Sequence, residues 1–136
     1  MPESPLTASM IALVVCDNIY EDLRQKKALV GLFNNIYSPG FPVAHPQMAV
    51  YIAFTDTRPN MKGRLDIVNG ESDEVIAGAE GDIPKTDSPN SVIEMDFILN
   101  NVVFREPGMY FVRFLINGVI QSQKPIRVIQ AGGPAQ

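Results

Sequence analysis

Cysteine, histidine and tryptophan are scarce or missing in this 136-residue chain: Cys16 and His45 stand alone, and there is no tryptophan. A lone cysteine rules out an intrachain disulfide, and a secreted domain more often carries a pair. One thiol and one imidazole are too few for a zinc site built on nitrogen and sulfur. The Gly-x-Ser-x-Gly elbow, the phosphate loop and the dinucleotide fingerprint are also missing. No cofactor is therefore expected. No apolar run approaches the roughly 20 residues of a spanning helix, so no membrane partner is expected either. Positive charge is in deficit, with 11 Lys and Arg against 15 Asp and Glu and a net charge of −4. A protein that neutralises phosphates wants a basic face. Here the basic residues are scattered, with one local cluster at Arg24, Lys26 and Lys27, and no nucleic-acid partner is expected.

The amino terminus lacks the marks of export. Met1-Pro2-Glu3-Ser4-Pro5 holds no Lys or Arg, the first basic residue is Arg24, and the apolar stretch Met10 to Cys16 is short for a secretory signal. Val15 is too bulky for the position before a lipoprotein cysteine. Together with the single thiol, these features point to the cytoplasm. Hydrophobic content of 46% and charged content of 19% mark a globular chain rather than a disordered one. The length suits one domain. Residues 9–130 are expected to form it, with flexible ends at 1–8 and 131–136.

What the chain does have is glycine and proline at short intervals, with β-branched and aromatic runs between them, the signature of an all-β fold. Met10 to Cys16 is apolar throughout, as expected of a strand covered on both faces. Asp17 to Lys27 is polar and turn-like, and Asn18 with Glu21 could cap one helical turn. Ala28 to Tyr37 reads as the second strand, and the proline-rich Ser38 to Pro46 as a connection outside the sheet. Gln47 to Thr55 alternates, with Met48, Val50, Ile52 and Phe54 directed to the core. Asn69-Gly70 and Asn117-Gly118 mark hairpins. Val92 to Leu99 is a half-buried strand, and Pro125 interrupts the last one.

Leu99 to Tyr110 carries the most specific local signal. A strand leads into a Pro107-Gly108 turn and then to Tyr110 at the mouth of the next strand. This resembles the corner of immunoglobulin-like sandwiches, where a tyrosine hydroxyl bonds back to upstream backbone. The fold expected is a two-sheet antiparallel immunoglobulin-like sandwich of seven to eight strands without a disulfide, with a small barrel as the alternative.

Candidate functional residues are few. Phe111, Arg113 and Leu115 alternate on one face of a strand, as an apolar strip around a charge that could be an interface, or as a packed face with Arg113 reaching to water. Tyr37, His45 and Tyr51 are candidates for a ligand-binding loop. A Cys16–His45 nucleophile pair is arithmetically open, but Cys16 closes an apolar strand, where a thiol behaves as a small hydrophobe. Glu71, Asp73 and Glu74 form an acidic hairpin tip that could hold calcium or simply be solvated. Glu94 and Asp96 read as a solvent face.

Val15-Cys16-Asp17, Leu29 to Ile36, Phe41-Pro42, His45-Pro46 and Pro107 to Tyr110 together resemble a family of small bacterial proteins designated only as a domain of unknown function. The likeness runs from about Met10 to Val128. It implies a bacterial origin and a compact β-sandwich, and it supplies no functional residues to transfer. The expected role is a non-catalytic protein-interaction or structural module, engaging a protein partner or a second copy of itself. A small-ligand or carbohydrate-binding sandwich is the alternative.

Overall fold

The computed structural model describes residues 8–58 and 60–131. The expected flexible ends lie outside the described residues except at Ala8 and Ala131. Among the described residues there are nine strands: β1 (Ser9–Glu21), β2 (Lys27–Leu32), β3 (Asn35–Ser38), β4 (Val43–Thr55), β5 (Lys62–Asn69), β6 (Val75–Asp82), β7 (Ile93–Phe104), β8 (Gly108–Ile116) and β9 (Val119–Gln130). There is no helix among the described residues. The polar segment Asp17 to Lys27 holds no helical turn but a tight reversal at residues 22–26. The Asp22 carboxylate accepts from the Arg24 and Lys26 amides there, and the Lys26 carbonyl accepts from the Asp22 amide.

The strands form two sheets, one in the order β2-β1-β4-β7 and the other β3-β9-β8-β5-β6. Period-two alternation places Met48, Val50, Ile52 and Phe54 of β4 against Tyr110, Val112, Phe114 and Ile116 of β8, all essentially inaccessible to solvent. Phe114 sits at the centre, its ring 5.3 Å from that of Phe54 and 6.5 Å from that of Phe97. Truncating such a side chain to alanine costs about 3–5 kcal/mol, so this layer dominates the fold's stability.

The wholly antiparallel arrangement expected from the sequence requires correction. The run read as one strand, Ala28 to Tyr37, is two. β2 pairs with β1 in the first sheet, whereas β3 crosses to the second and pairs parallel with β9, Ile36 opposite Val128. The second sheet is therefore mixed. The crossing occurs at Phe33-Asn34, where the Phe33 amide donates to the Val15 carbonyl on one side and the Asn34 carbonyl accepts from Arg127 on the other. Alternation cannot reveal a change of sheet, because both halves keep the same period.

Two further boundaries differ. β4 begins at Val43 rather than Gln47 and takes in Pro46, whose missing amide falls opposite Asn101 in the β4–β7 register. Asn101 adopts a left-handed φ of 53°, and there the buried set slips: Leu99 and Val102, three residues apart, both face the core. The strand expected to end at Leu99 thus continues to Phe104.

Candidate functional site

The outer face of the first sheet carries an unusual arrangement. Register places Leu32, Cys16, Ala49 and Ile98 in one row across all four strands, on the side opposite the core. Cys16 and Ala49 are nonetheless fully buried. The β1–β2 hairpin bends toward this face. Lys27 near its tip reaches Asp96 on the far strand β7, Nζ to Oδ2 2.7 Å, and also Glu21 at 3.1 Å. Gly31 makes the bend possible. Its φ is +76°, and a Cβ there would lie 2.3 Å from the Asp17 carboxylate. Gln47 fastens the base of the hairpin, its amide donating to the Asp17 carbonyl at 3.1 Å and to the Asn18 side-chain oxygen.

Electrostatics follow this geometry. The Lys27 ammonium is held above its ordinary range, chiefly by its hydrogen bond to Asp96. The Tyr51 hydroxyl donates to the Glu94 carboxylate, and partial burial together with that bond pushes its pKa up to about 12. Burial likewise pushes the Cys16 thiol up, with the Ala49 carbonyl 3.7 Å from its sulfur. A thiol so placed is a poor nucleophile. None of these groups is poised to give or take a proton near neutrality. Of the three, Lys27 is the one that ties the hairpin to the far strand β7.

The hairpin also carries exposed apolar side chains. Tyr20, Leu23, Val30 and Leu32 are all exposed, Leu23 completely and Leu32 to 65%. Asp96, which latches the hairpin, was visible in the sequence only as part of a solvent face with Glu94. Nothing in the sequence placed Lys27 opposite them.

At the far end of β1 lies a cleft of about 410 Å³ between the β4–β5 and β6–β7 connections. Thr57, Arg58, Lys85 and Thr86 give it a polar rim, and Pro84 and Pro89 apolar walls. The two connections are tied directly, the Asp56 amide donating to the Pro89 carbonyl at 2.7 Å and the Ile83 amide to the Met61 carbonyl at 3.0 Å.

The residues singled out from sequence are dispersed. Tyr37, His45 and Tyr51 do not form a binding loop: Tyr37 lies in β3 and Tyr51 in β4, and His45 also lies in β4 because that strand starts earlier than its prolines suggested. The His45 ring packs on Phe33 at 5.4 Å, and the shallow concavity beside it is lined by Asp17, Asn18, Pro46 and Gln47 but by neither tyrosine. Phe111, Arg113 and Leu115 are half-buried on the outer face of the second sheet. The Arg113 guanidinium donates to Gln123 at 2.9 Å and approaches Asp73 at 3.4 Å. The Tyr110 hydroxyl donates to the Glu106 carbonyl at 2.7 Å across the Pro107-Gly108 turn, and its ring meets Phe104 edge-on at 4.9 Å. No group of three or more His, Cys, Asp or Glu arranged to hold a metal occurs among the described residues, the Glu71–Glu74 tip included. No helix among them is long and apolar enough to cross a membrane.

No curated protein matches the chain. Among solved structures, the fold is similar to that of Pseudomonas fluorescens alkylpurine DNA glycosylase AlkC bound to DNA containing an abasic site analog, with a TM-score of 0.53 at 11% identity. The match covers 91% of this chain and 30% of that one. It corrects the expectation that nucleic acid is no partner, since a protein containing this fold is bound to DNA. The expectation rested on the net charge of −4 and on basic residues scattered in sequence, yet Arg58, Lys62 and Lys85 come from separate segments and border two adjoining concavities at one end. A family model described as "Family of unknown function (DUF6941)" matches residues 11–129. The chain belongs to that family.

Proposed function

We propose that this protein is a non-catalytic interaction module, an immunoglobulin-like sandwich of the reducing interior of a bacterial cell, which engages a protein partner through the β1–β2 hairpin. The observation that carries this reading is the set of exposed apolar side chains on the hairpin, Tyr20, Leu23, Val30 and Leu32, on a segment already latched to the body by Lys27. Contiguous apolar surface costs solubility and marks sites of contact. Aromatic and aliphatic anchors on a rigid support supply most of the binding energy at such surfaces. The immunoglobulin-like character is supported by the distribution of strands between the two sheets and by the tyrosine bonded back across its turn. The single buried, hard-to-ionise thiol supports a reducing compartment and a non-catalytic role.

Sedimentation velocity over a rising concentration series, with cross-linking in cell extract, tests this on the wild type and on Val30→Glu/Leu32→Glu. Both positions are exposed, so the double variant should melt close to the wild type. The expected result is self-association or a cross-linked partner that the variant loses. A wild type that stays monomeric, with the same cross-linked species as the variant, contradicts the proposal.

A further inference from the structure

We propose that the cleft between the 56–61 and 83–92 loops binds a small organic phosphate of nucleotide size. Its volume of about 410 Å³ falls within the range of small-molecule sites. Arg58 and Lys85 border it against a single acid, Asp87, leaving a surplus of positive charge. Neither cation makes an ion pair with any described residue, in contrast to Lys27, Arg64 and Arg113, which all do. A guanidinium beside an ammonium suits a phosphate group, the first through its planar fork and the second as a point charge. The rings of Pro84 and Pro89 offer flat apolar walls to a base or other planar group. The walls are also fixed in advance by the Asp56–Pro89 and Ile83–Met61 backbone bonds, which limits the ordering cost of binding.

Isothermal titration of the full chain with AMP, adenosine, inorganic phosphate and a short single-stranded oligonucleotide tests the assignment. AMP should bind more tightly than either of its parts, and Arg58→Gln and Lys85→Gln should each weaken it about tenfold, the loss of one charge-assisted contact. Both residues are exposed on loops, so melting curves should confirm that the variants are folded. Four results overturn the assignment: no heat with AMP at millimolar concentration, adenosine binding as well as AMP, unchanged AMP affinity in both variants, or binding of the oligonucleotide without AMP. The site lies at the opposite end of β1 from the hairpin, and the Val30→Glu/Leu32→Glu variant should bind AMP normally.

Discussion

Replacing Tyr110 by phenylalanine removes one hydroxyl from an otherwise unchanged core. The ring is 2% exposed and meets Phe104 edge-on, so Tyr110→Phe keeps the packing and removes only the hydroxyl that donates to the Glu106 carbonyl at 2.7 Å. A net hydrogen bond contributes about 0.5–1.5 kcal/mol. Glu106 is an exposed residue, so water can reach the carbonyl once the hydroxyl is gone, and the cost should be about 1 kcal/mol rather than the larger penalty of a stranded acceptor. For a chain of this length that corresponds to a fall in Tm of roughly 3–6 °C. Tyr110→Ala removes the ring as well and should cost about 3–5 kcal/mol. Urea unfolding of the three proteins, fitted with a common slope, measures both. A phenylalanine variant as stable as the wild type would refute the idea that the bond across the Pro107-Gly108 turn contributes to holding it.

Three further outcomes follow from the same geometry. Tyr51 has its pKa pushed up to about 12 in the folded state against about 10 when unfolded, so the folded form holds that proton more tightly. Its contribution to stability is complete below pH 10 and is lost as pH rises to about 12. The alkaline fall in urea midpoint should be smaller in Tyr51→Phe, and equal falls would contradict the assignment. Asp96→Asn removes the main partner of Lys27 and should speed labelling of Cys16 by a thiol reagent, an effect that high salt reproduces in the wild type. Unchanged labelling would mean that Lys27 does not keep the hairpin over Cys16. Gly70→Ala would set a Cβ 2.6 Å from the Met109 backbone oxygen and should cost about 1–3 kcal/mol in thermal or urea unfolding. Gly40→Ala meets nothing within 4 Å and should be close to neutral.

The core was legible in the sequence because it depends on a local rule. Met48, Val50, Ile52 and Phe54 lie two residues apart in a strand, and that spacing alone sends them to one side. The Pro107-Gly108-Tyr110 signal was equally local, since the turn and the tyrosine lie within one short stretch. What escaped depends on distance along the chain. Asn34 and Arg127 meet only because a strand leaves one sheet for the other, and no property of residues 28–37 announces the exchange. Pro46 argued for a loop by its missing amide, yet a strand tolerates it where the opposing Asn101 is itself displaced. The hairpin latch joins Lys27 to Asp96 and the end cleft joins Arg58 to Lys85, pairs whose proximity exists only after folding.

Amide hydrogen exchange, followed residue by residue as protein concentration or a captured partner is raised, tests the role of the hairpin most directly. Slower exchange confined to residues 18–32, with the 56–61 and 83–92 loops unaffected, is the pattern expected of a partner seated on Tyr20, Leu23, Val30 and Leu32. Protection elsewhere on the surface with none in this segment would place the contact somewhere other than the hairpin.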